Sequence, residues 1–255
     1  MSETREQIDA RIQERFSIME DFTYACTTGD CRSLIVSGPG GLGKSYTAEK
    51  VMAKWDPTGT QYTISKGYCL TTGLLRLLYT HRFPNHVVIF DDSDSIFANE
   101  NSLNLLKTVC DTTERRTVSY RTESRKIDED SADLIPTSFD FDASVIFLTN
   151  VDFDRLIEKE STMSPHYEAL VTRSHYIDLT IKTRQEKLVR IEQVVKEGLL
   201  NKFPVATHKD IVGYLHQRSD QLRELSLRMA LKVGMIRNMG KPNWKNIADV
   251  TCCKL

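Results

Sequence analysis

"LIVSGPGGLGKSYTAEKV", residues 34–51, is the stretch on which the reading of this chain turns. The apolar run Leu34, Ile35, Val36 stops at a glycine, which predicts a short buried strand ending in a turn. Gly38-Pro39-Gly40-Gly41-Leu42-Gly43-Lys44-Ser45 then fits G-x-x-x-x-G-K-[ST] in full, and from Lys44 through Tyr46 to Trp55 the pattern is helical. Strand, glycine loop and helix in that order make a phosphate cradle. Glycines let the backbone wrap phosphate oxygens and present N–H groups that a Cβ would obstruct. The helix N-terminus adds the positive end of its dipole. In such a cradle Lys44 is expected to reach the β- and γ-phosphates of ATP, and Ser45 to hold Mg²⁺.

A second stretch supplies the acids that such a cradle requires. "HVVIFDD" is a continuous apolar run ending at Asp91 and Asp92, the pattern of a central parallel strand buried on both faces. Ligands in parallel sheets lie at the carboxyl ends of strands. Asp91 is therefore the expected Mg²⁺-side carboxylate, and Asp92 the base that orients an attacking water. Asp94 is a weaker candidate, because aspartate in such a loop also caps helices.

Working outward, "TQYTISKGY", "ASVIFLTN" and "HYIDLTI" read as further strands, and "TTGLLRLLYTHR" and "SLNLLKTVCDT" as helices. Strands alternating with helices predict an α/β domain with a parallel sheet. Residues 4–29 read as a helix whose apolar face carries Ile8, Ile12, Phe16 and Ile18 or Met19. From about residue 183 the pattern is all helix: "RQEKLVRIEQVVKEGLL", "HKDIVGYLHQR" and "QLRELSLRMALKVGMIRNM". The expected organisation is an N-terminal helical segment (1–30), an α/β nucleotide-binding domain (31–180), a helical domain (181–240) and a C-terminal tail (241–255). Between "TVSY" and "ASVIF" lies a polar stretch broken by Pro136, a candidate hairpin or mobile loop.

The 255 residues suffice for one large α/β domain with a smaller one attached, and 40% hydrophobic and 27% charged residues are ordinary for a globular protein. No apolar run reaches membrane-spanning length. The six cysteines, at 26, 31, 69, 110, 252 and 253, form no Cys-x-x-Cys pair and read as free thiols in a reducing cytosol. The net charge of −1 is unevenly spread: residues 181–255 hold fifteen Lys/Arg against seven Asp/Glu, a net of +8, which leaves −9 on residues 1–180. A boundary near 180 follows, and a polyanion is one reading of the basic end.

With both motifs placed, the chain resembles the AAA+ ATPase family from about residue 30 to about residue 238. The resemblance implies a P-loop core with a C-terminal all-helical lid domain, ATP and Mg²⁺ as cofactors, and a homo-oligomeric ring, usually hexameric, that remodels DNA or protein. Within it, "VIFLTN" is similar to the sensor-1 strand, making Asn150 the residue that helps position the hydrolytic water. "ALVTRSHYIDL" is similar to the arginine-finger region, with Arg173 reaching into the neighbouring subunit to offset charge on the transferred phosphoryl group. "QLRELSLRMAL" is similar to the sensor-2 helix, with Arg223 the first choice and Arg228 the second. One departure is the Asp-Asp strand end where many members carry Asp-Glu. It resembles bacterial replication initiators and helicase loaders, and implies an alternative in which ATP gates assembly in DNA replication and hydrolysis is slow. The compact chain also resembles small AAA+ ATPases encoded by tailed phages, which implies a place in the host cytoplasm.

Between the acidic strand and the sensor-1 strand, Arg115, Arg116, Arg121, Arg125 and Lys126 are candidate phosphate contacts and Tyr120 a residue that stacks on a base or grips a peptide; the alternative is that Arg115 and Arg116 pair with acids across a subunit interface and the rest is a solvated loop. "GLLRLLYTHRF" is a second candidate, although its helical spacing points to core. A metabolic kinase is a third reading of the cradle, disfavoured by Asn150, Arg173 and the helical lid.

Overall fold

The computed structural model describes residues 3–120, 126–127 and 134–254. They form two compact units. One comprises Ser17–Gly38 and Ser45–Leu179; the other comprises Met1–Phe16, Pro39–Lys44 and Thr180–Leu255.

The first is an α/β unit. Its main sheet has five strands among the described residues, β1 (Ser33–Ser37), β2 (Tyr62–Lys66), β3 (Val87–Asp91), β8 (Ser144–Thr149) and β9 (His175–Asp178), in the order β2-β3-β8-β1-β9. Every pairing in this sheet is parallel. β1, β3 and β8 are buried along their whole length, while β2 and β9 at the edges are part exposed. Continuous apolar runs therefore mark central strands here, because helices cover both faces of a parallel sheet. The covering helices are α2 (Lys44–Trp55), α3 (Thr71–Thr80), α4 (Glu100–Val109), α5 (Phe153–Glu158) and α6 (Ser164–Val171). Leu74, Leu75 and Leu78 of α3 enter the same core as Phe90, Phe147 and Phe153, so the leucines of the second candidate substrate segment are core residues.

The insertion between α4 and β8 is an antiparallel ribbon. β4 (Thr117–Ser119) pairs with β7 (Ser138–Asp140), and beyond it β5 (Lys126–Ile127) pairs with β6 (Leu134–Ile135). The described residues of this stretch pair as a hairpin would. One expectation for its side chains is corrected. Arg116 is 4% exposed and donates to the carbonyls of Val109 (2.6 Å) and Ala143 (2.8 Å), with its guanidinium 5.3 Å from the Phe141 ring centroid. It joins the end of α4 to the start of β8 and is not a phosphate contact. Tyr120 packs part-buried against the core. Arg115 stays exposed and pairs with Asp140 across the ribbon. Arg121 and Arg125 lie outside the described residues, as does the side chain of Lys126.

The second unit is helical, with α7 (Arg184–Lys196), α8 (Val205–Gln217), α9 (Leu227–Asn238) and α10 (Trp244–Cys252) around a core of Ile191, Leu215, Leu222, Met229, Val233 and Trp244. α7 opens with a capping box, in which the Thr183 side chain accepts from the Glu186 N–H and the Glu186 carboxylate accepts from the Thr183 N–H. The expected helix from Gln221 is shorter than its pattern. It begins at Leu227, where Ser226 takes the N-cap and accepts from the Met229 N–H at 3.1 Å. The residues just before it are tied to the end of α10, with Leu222 bridged to Cys253 and the Arg223 N–H bonded to the Cys252 carbonyl. The segment expected as a tail carries α10, which buries Trp244, Ala248 and Cys252.

The first helix, α1 (Arg5–Thr28), contributes its first turns to the helical unit and the rest to the α/β unit. Its buried face carries Ile8, Ile12, Phe16 and Met19, whereas Ile18 is exposed. In the helical unit it is bonded to α7. Arg11 reaches Glu186 at 2.6 Å, and Gln193 donates to the Asp9 carbonyl at 2.8 Å.

Candidate functional site

Three neighbouring strands end at the residues singled out by sequence. β8 lies between β1 and β3, with Ser37 opposite Thr149 and Asp91 opposite Leu148. The glycine loop leaves β1, the two aspartates close β3, and Asn150 follows β8.

Within the α/β unit two pairs of candidates meet. Ser45, in the first turn of α2, donates its hydroxyl to Asp91 Oδ1 at 2.7 Å. Asn150 donates its side-chain amide to Asp92 Oδ1 at 3.0 Å. Asp91 is 5% exposed at the strand end, and Lys66 Nζ approaches its other oxygen at 3.5 Å. Lys66 is the residue directly across from Asp91 in the β2–β3 register, a neighbour that spacing along the chain cannot reveal. Asp92 turns outward. Its backbone takes φ +51, a left-handed conformation that aspartate tolerates better than most residues, while its N–H still bonds to the Leu148 carbonyl at 2.9 Å. The left-handed turn separates the two carboxylates, one buried against Ser45 and one exposed beside Asn150. Asp94 accepts from Thr149 Oγ1 and so ties the next loop to β8.

The cradle itself, Pro39–Lys44, belongs to the helical unit. Leu227, the first residue of α9, donates its N–H to the Gly41 carbonyl at 2.8 Å. Arg190 of α7 donates Nε–H to the Leu42 carbonyl at 3.2 Å. In a planar trans peptide the N–H points opposite to the carbonyl. Fixing these two carbonyls on α9 and α7 therefore aims the N–H groups of Leu42 and Gly43 away from those helices. Lys44 is 5% exposed, and its ammonium donates to the Pro39 carbonyl at 3.1 Å. Gly41 and Gly43 have φ +74 and +105. A Cβ on Gly41 would stand 2.8 Å from Ser226 Cβ, so glycine is required there for both conformation and space. Tyr46, next along α2, is 51% exposed.

The two candidate arginines, Arg223 and Arg228, are both exposed and differ in placement. Arg223 is exposed and lies outside α9. Arg228 is in the first turn of α9, with Nη1 3.9 Å from the Cβ position of Gly41. The helical pattern ran through Ser226 without a break, so the sequence did not separate them. Arg173 follows α6, donates to the Ala169 carbonyl at 2.8 Å and pairs with Asp111 at 3.8 Å, with its side chain 37% exposed. Arg190 was missed by sequence reasoning because a single arginine on an amphipathic helix carries no mark of its orientation.

No protein-family model matches the chain. It is 34% identical over 256 residues to the uncharacterized 36.7 kDa protein of the nrdC–mobD intergenic region of Enterobacteria phage T4, an alignment covering 97% of this chain and 76% of that protein. The chain belongs to the family of this phage T4 protein. Among solved structures it is similar to a point mutant of Thermotoga maritima RuvB, with TM-score 0.55, 15% identity, 95% of this chain and 70% of that one. It is also similar to Aeropyrum pernix ORC1 in complex with DNA (TM-score 0.51, 10% identity, 93% and 64% covered). A third is Brucella abortus NtrX in complex with ADP (0.53, 11%, 92% and 51%), of which the chain spans about half the length. The chain thus shares its fold, built on a five-stranded parallel sheet, with these solved proteins. Among the described residues no helix is long and apolar enough to cross a membrane.

Proposed function

We propose that this chain binds and hydrolyses ATP, assembles into a homo-oligomeric ring of six subunits, and remodels a DNA or protein substrate in the host cytoplasm. The observation that carries the reading is the pairing at the ends of β3 and β8, Ser45 with Asp91 and Asn150 with Asp92.

Ser45 Oγ and Asp91 Oδ1 are hard oxygen donors 2.7 Å apart, which suits Mg²⁺, an ion that takes few protein ligands and completes its shell with water and phosphate. When bound there, the ion neutralises charge on the phosphates. The N–H groups of Leu42 and Gly43 bind phosphate oxygens, and Lys44 contributes its charge. Asp92, exposed, accepts the proton of the attacking water, and Asn150 holds the Asp92 carboxylate in the orientation that this requires. We assign the lid cation to Arg228, ahead of Arg223, from its place beside Gly41. Arg173, part exposed, is assigned as the residue that acts on a neighbouring subunit's nucleotide. Tyr68 (81% exposed) and Leu70 (59%) follow β2, at the strands' carboxyl edge, and are assigned to substrate contact. Support for the nucleotide comes from NtrX, solved with ADP and with ATP, and support for DNA from ORC1, solved with DNA.

The test is ATP turnover per protomer across a range of protein concentrations. A rise to saturation supports sites completed between subunits. Lys44→Ala should lower turnover by about 100-fold or more, and Asp92→Asn should do the same while ATP stays bound. Undiminished turnover in Lys44→Ala would refute the reading.

A second reading is favoured by the Asp-Asp strand end. Aspartate is one methylene shorter than glutamate, and Asp92 is already engaged by Asn150. In that reading ATP gates assembly in DNA replication and hydrolysis is slow. Its mark is partner or DNA binding that depends on ATP versus ADP while turnover is negligible.

A further inference from the structure

Arg190 is a buried cation that the proposed chemistry does not use. It is 3% exposed and sits in the middle of α7. Nε–H reaches the Leu42 carbonyl at 3.2 Å and Nη1 the Gln193 Oε1 at 3.2 Å. Nη1 also stands 3.8 Å from the half-exposed carboxylate of Glu197. The guanidinium lies over the Phe16 ring, 3.4 Å from its centroid, and Nη2 is 3.3 Å from where a Cβ on Gly43 would stand. Burying a charge this deeply is costly unless it is well hydrogen-bonded. An aliphatic side chain would fill the same space on an amphipathic helix without that cost.

We infer that Arg190 is a positioning residue for the phosphate loop: its fork, laid on Phe16, fixes the Leu42–Gly43 peptide so that the Gly43 N–H faces the phosphate. The inference rests on the nucleotide reading above and extends it. The mechanism is the planarity of one peptide. With the Leu42 carbonyl held by Arg190, the Gly43 N–H points the other way. Gly43, at φ +105, has the backbone freedom to rotate once that hold is lost. Phe16 supplies a flat apolar face that restricts the guanidinium plane, and its ring faces bind arginine well. Phe16 and Asp9, whose carbonyl and carboxylate both accept from Gln193, are on α1. The N-terminal helix therefore sets the arginine that sets the loop.

The experiment compares the parent chain with Arg190→Met and Arg190→Lys. Binding of ADP and of pyrophosphate is measured by titration calorimetry in the presence of Mg²⁺, and unfolding temperature is measured without ligand. Positioning by a planar fork predicts that both variants bind both probes about tenfold more weakly. Lysine keeps the charge but cannot present Nε and Nη donors in one plane, so it should rescue little. Parental affinity in Arg190→Met would overturn the inference. Parental affinity in Arg190→Lys alone would also overturn it, since charge and not geometry would then be what matters. If neither variant folds, Phe16→Leu carries the test: about threefold weaker binding supports the inference, because the guanidinium loses its platform, and parental binding overturns it. A parent chain that binds neither probe would sink the nucleotide reading and this inference with it. A parent that binds while Arg190→Met binds equally well sinks the inference alone.

Discussion

Replacing Gly41 by alanine tests how the glycine loop is seated, independently of any nucleotide. Two costs add. The first is conformational: at φ +74 an L-residue with a Cβ loses about 1–2 kcal/mol that glycine does not. The second is steric. The new methyl would stand 2.8 Å from Ser226 Cβ, and that atom cannot swing aside, because Ser226 is the N-cap of α9 with its Oγ bonded to Met229 N–H. Forcing a methyl into such a contact costs about 1–3 kcal/mol. The sum is about 2–5 kcal/mol of destabilisation. Gly240 provides the control within the same unit. Its φ is +67 and nothing lies within 4 Å of its Cβ position, so Gly240→Ala carries the first cost alone. Urea denaturation of the parent and the two variants, followed through the helical signal, gives the comparison. Gly41→Ala should fall below Gly240→Ala by roughly the steric part, about 1–3 kcal/mol. Equal losses would refute the close seating of the loop on α9.

Two further predictions concern buried charge. Arg116→Met should destabilise the chain by about 3 kcal/mol or more, since two buried carbonyls, those of Val109 and Ala143, lose charge-assisted donors. Burial first, and then the like charge of Arg32, pushes the Arg116 guanidinium down to about 10, yet it remains a cation at neutral pH. Denaturant midpoints measure the loss, and an unchanged midpoint would contradict the assigned role. Glu186 is the second case. Burial pushes its carboxyl up, but bonds from the Thr183 N–H, Arg11 and the Lys182 N–H outweigh it and hold the folded value at about 2, against an ordinary 4.5. A depressed carboxyl contributes stability that is present above the ordinary value and lost as pH falls toward 2. The contribution is on the order of 3 kcal/mol. Glu186→Gln should therefore be less stable than the parent at pH 6 and converge with it near pH 2. Parallel stability curves for the two proteins would count against this account.

How much of this was legible in the sequence depends on range. β1, β3 and β8 announced themselves because burial on both faces leaves no polar alternation to confuse the pattern. The cradle and the two aspartates were legible because each is a short continuous motif. Their pairing was not. That Ser45 meets Asp91 depends on a chain separation of 46 residues closed by the sheet, and that Lys66 faces Asp91 depends on strand register. The start of α9 was misplaced because the apolar spacing continues through Leu222 and Leu225, both buried, and only the cap at Ser226 shows where the helix begins. Arg116 was misjudged for a related reason. An arginine in a polar stretch reads as solvated, and nothing nearby in the chain shows that two backbone carbonyls from α4 and β8 have converged on it.

All six cysteines are buried: Cys26, Cys31, Cys69 and Cys110 in the α/β unit, Cys252 and Cys253 in the helical unit. A thiol reagent can reach them only when the surrounding structure opens. The chain therefore carries its own unfolding gauge, divided between its two units in a ratio of four to two. Mass spectrometry of briefly alkylated protein would show two added groups when the helical unit opens alone and four when the α/β unit does. The same gauge, read with and without ATP, would report which unit a bound nucleotide protects, without a single engineered residue.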